Sequence, residues 1–462
     1  MRVWTFLSFM LLSLVGQLAV ATDDGTHALD RYTAELDESF AWRIVQTYEP
    51  MPGTRGFAVD LTSQTWRSEE EVSHPAWTHM MQVVVPPVVE HDTALLVIGG
   101  GRRREEPPAR ISGHIARISS LTRSVVVLLP TVPNQPLELR DDGKKRYEDD
   151  LLAESWQIAM AERDTGWVIH QAMAKSAVAG MTATQQLMES IGDGPAVTGF
   201  VLTGGSKRGW TTWLTAAVDD RVRGIVPMVI DTINLPEVMK HHWGAYGFWA
   251  PAIGDYAGRG FAKMLTSPRF ESIRGIVDPY TMRDRLTMPK LLVNAGGDQY
   301  FLPDSTKYYF DDLPGPTYLR VVPNVNHSID DRPDVLTSAL AFHDAVARGH
   351  KLPSLSWEVG EAANTLRLQT STEPAKVLLW EATNPEARDF RLETIGAAWT
   401  FRPLRPEADG SYLAAVEAPE TGFRAFLIEA TFPAEGFMAP HVFTTEVQVI
   451  PDVLPFADKP ME

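Results

Sequence analysis

The middle of this sequence is marked by short, mostly apolar runs at 94–98, 124–129, 197–202, 224–230, 291–293 and 318–322. None alternates apolar with polar residues, so each suits a strand buried on both faces. Helical stretches separate them; one is 333–348, with Val335, Ala339, Phe342 and Val346 along one side. Strand and helix in such alternation predict an α/β fold, a parallel sheet covered by helices. Upstream, 30–87 holds shorter alternating runs, including 57–59 and 81–85, which read as antiparallel strands. Two regions break the rhythm. Between 231 and 289 there is no strand pattern but many aromatics (Trp243, Tyr246, Phe248, Trp249, Tyr256), which predicts an inserted helical cap at about 232–289. After Pro353 short strands such as 376–380, 425–428 and 445–449 alternate with turns, predicting a β-sandwich over 353–462. The sheet and cap together would occupy 22–350.

Composition narrows the chemistry. Lys plus Arg number 42 against 59 Asp plus Glu, a net charge of −17, which argues against a nucleic-acid partner. Cysteine is absent, which excludes disulfides, thiolate metal sites and a cysteine nucleophile. No H-E-x-x-H or similar spacing occurs, so no metal and no cofactor are expected. At the N-terminus Arg2 precedes a mostly apolar run over 6–20, and Ala19-Val20-Ala21 precedes the polar Thr22-Asp23-Asp24. This predicts a signal peptide over 1–21 and a periplasmic or secreted protein, the alternative being an uncleaved anchor. No later stretch is long and apolar enough to insert stably in a membrane.

The sharpest motif is Leu202-Thr203-Gly204-Gly205-Ser206-Lys207-Arg208-Gly209, where a strand enters a glycine-rich turn and a helix follows to about 218. This is the layout of a nucleophile elbow, which lifts a serine hydroxyl above the sheet. The G-x-S-x-G pattern wants a small residue at 208, where Arg208 stands instead. A Gly-Gly-Ser turn could also cradle phosphate, although the P-loop spacing is absent. Chain order favours the elbow. The strand at 291–293 leads into Asn294-Ala295-Gly296-Gly297-Asp298, and the strand at 318–322 leads into Pro323-Asn324-Val325-Asn326-His327. Serine, aspartate and histidine at three strand tips would converge, with His327 as base and Asp298 as its orienting acid. Asp231 is a rival acid, and His241 and His242 are rival bases within the cap. The backbone N–H of Lys207 and of Gly100, in Gly99-Gly100-Gly101, are the candidate oxyanion donors. Arg208 could receive an anionic group of the substrate or be a buried partner for an acid nearby. His241 and Trp243, in the cap, are further candidates for substrate contact.

With these residues in place the sequence resembles the PhoPQ-activated pathogenicity-related proteins, a branch of the α/β-hydrolase superfamily. The likeness runs through Leu61-Thr62-Ser63-Gln64-Thr65-Trp66, Trp77-Thr78-His79, the Ser206 turn and His241-His242-Trp243-Gly244-Ala245-Tyr246-Gly247. It continues through Val277-Asp278-Pro279-Tyr280, the stretch from Gly297 to Ser305 and that from Val322 to His327. The turn is also similar to the G-C-S-R-x-G elbow of glucuronoyl esterases, with Gly205 in place of cysteine and Lys207 in place of arginine. The resemblance implies an α/β-hydrolase core with Ser206, Asp298 and His327 in catalytic positions, and it implies no particular substrate. The expected function is a secreted serine hydrolase, esterase or aminopeptidase-like, acting on a small molecule or peptide. The alternative is a catalytically silent binding or signalling protein on that scaffold, related to virulence or antimicrobial-peptide resistance.

Overall fold

The computed structural model describes residues 27–34, 36–192, 194–329, 332–360, 364–434 and 438–462. The expected signal peptide lies outside them. Strands β1 (Ala41–Tyr48), β2 (Arg55–Thr65) and β3 (Ala76–Val85) form an antiparallel meander. Then come β4 (Thr93–Ile98), β5 (Val126–Leu129), β6 (Gly199–Gly205), β7 (Val222–Met228), β8 (Lys290–Ala295) and β9 (Thr317–Val322). All nine join one sheet in the order β1-β2-β3-β5-β4-β6-β7-β8-β9. β3 meets β5 antiparallel, and every pairing from there to β9 is parallel.

Successive side chains of a strand point to opposite faces, and the central strands feed two separate cores. Leu96, Val127, Leu202 and Leu292 join one core with the helices Glu148–Glu162, Ile169–Ile191 and Lys207–Val218. Their neighbours Leu95, Val126, Val201 and Leu291 join another with the helix Pro333–Ala347. Both faces are therefore apolar, which is why these strands show no alternation. Leu202 is wholly buried; cutting it to alanine removes transfer energy and leaves a cavity, costing about 2–5 kcal/mol.

The region between β7 and β8 is helical as expected, with Leu235–Tyr246 and Pro268–Val277 its longest helices. The buried Asp278 carboxylate accepts the N–H groups of Asn234 (3.0 Å) and Leu235 (3.1 Å), tying the start of the first helix to the end of the second. Beyond the sheet stand β10 (Leu355–Val359), β11 (Thr365–Thr370), β12 (Lys376–Asn384), β13 (Thr400–Pro403), β14 (Tyr412–Ala415), β15 (Phe423–Phe432), β16 (His441–Thr444) and β17 (Gln448–Ile450). They make a three-stranded sheet, β10-β11-β14, and a five-stranded one in which β15 pairs with β12, β16 and β17 and β13 lies beside β12. The run 445–449 is not a single strand. The chain turns there from β16 to β17, and Thr445 is held by two bonds with Ile428 (N–H to carbonyl 2.9 Å; Ile428 N–H to Oγ1 3.0 Å).

This C-terminal β-sandwich is not tethered loosely. Leu366, Leu379, Phe426 and Ile428 belong to the same core as Val201 and Leu291. Phe443 of β16 stacks on Tyr318 of β9 with ring centres 4.6 Å apart. The Thr444 hydroxyl accepts the Val321 N–H at 3.1 Å and donates to Leu319 O at 3.5 Å.

Candidate active site

Ser206 ends β6 and caps the helix Lys207–Val218 with φ +55° and ψ −127°. A non-glycine residue there costs on the order of 1–3 kcal/mol. The turn is held by Ser206 N–H to Met228 O (2.8 Å) and Trp210 N–H to Ser206 O (3.0 Å). The glycine spacing now has a reason. A Cβ on Gly204 would lie 2.7 Å from the Arg208 carbonyl carbon, and one on Gly209 would lie 2.9 Å from Gly204 O. Gly204 and Gly209 are thus the pair that lets helix and strand meet. Arg208 turns its side chain away, so a large residue fits where G-x-S-x-G wants a small one.

Asp298 and His327 stand past the ends of adjacent β8 and β9. Gly296 N–H donates to Val322 O (2.8 Å) and Gly297 N–H to Val325 O (2.9 Å), zipping the two loops together. The His327 Nδ1 contacts both Asp298 oxygens, at 2.8 and 3.0 Å, and the carboxylate is almost wholly buried. Asp298 also receives the Tyr300 N–H (2.7 Å), while His327 N–H donates to Gln299 Oε1 (2.8 Å). On its other side the imidazole Nε2 is buried and makes no hydrogen bond. The Tyr300 ring packs on His327 at 4.3 Å between centres. Tyr300 and Phe301 in turn line the cavity that contains Ser206, whereas His327 is not among its lining residues, and no hydrogen bond joins Ser206 Oγ to His327 Nε2.

That cavity is small, about 40 Å³. Trp156, Trp210, Ile230, Leu235, Met239 and Phe261 make most of its lining. Its charged groups are Asp149 and Lys207, which pair at 2.9 Å. Tyr256 also donates to Asp149 (3.2 Å). The Lys207 backbone N–H opens a helix, and neither it nor the Gly100 N–H has a hydrogen-bond acceptor among the described residues. The Arg208 guanidinium lies against Gly100, where an added Cβ would stand 2.3 Å from Nη2. It donates to both Glu148 oxygens (2.6 and 2.7 Å) and to Val132 O (2.7 Å). Gln135 links Glu148 (2.6 Å) to Gly101 O (3.1 Å). Arg208, its side chain mostly buried, therefore braces the glycine loop by pairing with the half-exposed Glu148, the second of its two sequence readings. Burial pushes the Glu148 carboxyl up, but Arg208 and Lys207 outweigh this and hold it at about 2.

The remaining candidates stand elsewhere. His241 Nε2 is bonded to Asp304 (2.8 Å) and Trp243 donates to Lys459 O (3.0 Å), and neither lines the Ser206 cavity. From the same helix it is Leu235 and Met239, one turn apart, that reach it. His242 accepts the Ala250 N–H (3.1 Å), and burial lowers it to about 3. Asp231 Oδ1 receives Asn294 Nδ2 (2.9 Å) and the Tyr309 hydroxyl, and has no bond to His327. Glu148, Asp149 and Tyr300 were not singled out in the sequence. For Glu148 and Asp149 the acidic run 148–150 beside the basic pair Lys207-Arg208 is a signal that could have found them, although the sequence does not say that the two meet. Among the described residues no group of three or more His, Asp or Glu is placed to hold a metal, and no helix is long and apolar enough to cross a membrane.

A mostly parallel sheet with a serine on a strained strand–helix turn after β6, an acid after β8 and a histidine after β9 defines an α/β-hydrolase fold. The chain belongs to the PhoPQ-activated pathogenicity-related protein family, whose model matches residues 29–391. It is 32% identical over 476 aligned residues to autocrine proliferation repressor protein A of Dictyostelium discoideum, covering 97% of this chain and 94% of that protein. Among solved structures it is similar to acetyl xylan esterase 1 from Thermoanaerobacterium sp. (13% identity, 69% of this chain and 92% of that one, TM-score 0.46). A glucuronoyl esterase from Solibacter usitatus is also similar (12%, 68% and 87%, TM-score 0.40).

Proposed function

We propose that this chain is an exported serine hydrolase that cleaves an ester or amide bond through an acyl-enzyme. Ser206 Oγ adds to the carbonyl carbon while His327 Nε2 takes its proton, and Asp298 holds Nδ1–H and balances the imidazolium. The N–H groups of Lys207 and Gly100 receive the oxyanion. Collapse expels the alcohol or amine, which leaves with the proton from His327. Water then adds to the acyl-enzyme with His327 again as base, releasing the acid and restoring Ser206. The observation that carries this reading is the imidazole seated on both oxygens of a buried carboxylate past the ends of β8 and β9, in the same sheet whose β6 ends on a serine at φ +55°. The apolar lining and the mutual neutralisation of Asp149 and Lys207 favour a neutral, apolar acyl group. Export rests on the 1–21 leader, and mature protein starting at Thr22 in the periplasm or medium is its test.

A fluorophosphonate probe tests the nucleophile. Wild type should label, Ser206→Ala should not, and Asp298→Asn should label about 10³–10⁴-fold more slowly. Folded wild type that never labels would move the chain to the binding or signalling reading. Short acyl esters, uronate esters and aminoacyl amides, assayed side by side, then separate the substrate classes.

A further inference from the structure

Between β12 and β13 the chain leaves the C-terminal sheets and lies across the strand-tip loops of the large sheet. It grips them at three points. Arg388, wholly buried, donates to Asp304 at 2.7 and 3.3 Å, six residues past Asp298. The Leu392 N–H donates to Gly297 O at 3.0 Å, immediately before Asp298. A Cβ on Gly297 would stand 2.9 Å from the Leu392 nitrogen, so the two backbones meet at a separation that only glycine allows. Finally, Asn324 Nδ2 donates to Trp399 O (2.8 Å) and Trp399 N–H donates to Asn324 Oδ1 (2.9 Å), three residues before His327.

The segment is braced from within. The Asp389 carboxylate accepts the Arg391 N–H (3.0 Å), the Arg391 guanidinium (2.6 Å) and the Thr394 hydroxyl (2.9 Å). Asn384 Nδ2 holds Asp389 O at 2.7 Å. A fully satisfied polar network of this kind is stiff. Arg391 also lies over the rings of Tyr246 and Phe248, 5.2 and 5.5 Å from their centres, so the brace touches the cap helix as well.

We propose that residues 385–399 are a positioning element for the Asp298–His327 pair. They fasten the acid loop and the histidine loop to one rigid body, so that Nε2 keeps its bearing on Ser206. This rests on the hydrolase reading above. Asn324, Leu392 and Trp399 touch no substrate and act only through the pair. A relative slide of about 1 Å between the loops costs about 10²-fold in rate.

The test uses the full chain. Asn324→Gly deletes both side-chain bonds while its backbone still accepts the observed φ of +59°. Leu392→Pro removes the N–H at the first residue of the helix Leu392–Ile395, where proline is tolerated, and it stands in if the first variant fails to fold. For an activated phenyl ester kcat and the fluorophosphonate labelling rate should fall about 10- to 100-fold, with KM within about twofold. The downfield proton resonance between His327 Nδ1 and Asp298 should shift or broaden. In an Asp298→Asn background the same substitutions should cost less than about twofold, because the pair is already broken. A loss that repeats in full in that background overturns the positioning role, as does an unchanged resonance in both variants. The resonance needs no turnover, so it separates the two readings: wild type that never labels refutes the hydrolase, whereas an undisturbed resonance refutes the brace.

Discussion

Replacing Asp231 by asparagine separates a buried acid from a working one. Asp231 is 3% exposed, and its Oδ1 accepts from Asn294 and Tyr309. An asparagine Oδ1 keeps both bonds. Burial, opposed by those bonds and reinforced by the Asp298 charge, lifts the carboxyl from 3.8 to about 7. An acid whose pKa is raised by folding contributes its full stability below the unfolded value, and that contribution is lost as pH rises through the folded one. Below about pH 4 wild type and Asp231→Asn should therefore agree within about 1 kcal/mol. From pH 4 to 7 wild type should lose about 1.4 kcal/mol per pH unit relative to the variant. Over roughly three units the gap reaches about 4 kcal/mol and then levels off. Urea unfolding at closely spaced pH values, with m compared at each, measures it. A gap that is flat with pH, or that narrows as pH rises, refutes the reasoning. Fluorophosphonate labelling of the same variant should stay within about threefold of wild type at pH 7. A loss as deep as that of Asp298→Asn would make Asp231 the acid of the triad.

The elbow makes a sharp contrast between neighbours. Gly204→Ala drives a Cβ to 2.7 Å from the Arg208 backbone and should cost about 1–3 kcal/mol in thermal unfolding, with slowed labelling, whereas Gly205→Ala enters open space and should stay within about 1 kcal/mol. Glu148→Gln removes the charge that holds Arg208 against Gly100, and labelling should slow by about tenfold, less than the 10²–10³-fold typical of a lost oxyanion donor. Because Glu148 is held at about 2, its stability contribution is present above its unfolded pKa and disappears as pH falls toward 2, so unfolding curves of wild type and variant should converge there. Met239→Ala enlarges the cavity beside Ser206 and should shift ester preference toward longer acyl chains, at a stability cost of about 2–5 kcal/mol.

What the sequence made legible is what local physics determines. Strands buried on two faces must be apolar throughout, so β4, β6 and β8 stood out. The elbow and the loops bearing Asp298 and His327 were readable because each follows such a strand in a fixed order. Pairings across long separations were not. Arg208 meets Glu148 from 60 residues away, and nothing near 208 says which way that side chain turns. His241 and Trp243 looked like substrate contacts because they sit among cap aromatics, but the helical period aims Leu235 and Met239 at the cavity instead. The brace at 385–399 read as turns between strands, since its purpose lies in partners at 297, 304 and 324.

The contact between β9 and β16 bears on solubility. β9 ends the large sheet, and a terminal strand rich in apolar residues offers unpaired N–H and C=O groups to any other chain. Here the Thr444 side chain occupies the Val321 N–H and Leu319 O, and Phe443 shields Tyr318. The C-terminal sheets thus act as an edge guard. A fragment trimmed back to the large sheet and its helices would expose a strand ready to recruit its own copies, and it would be recovered as aggregate. Residues that look like an appendage are what covers the open edge of the large sheet.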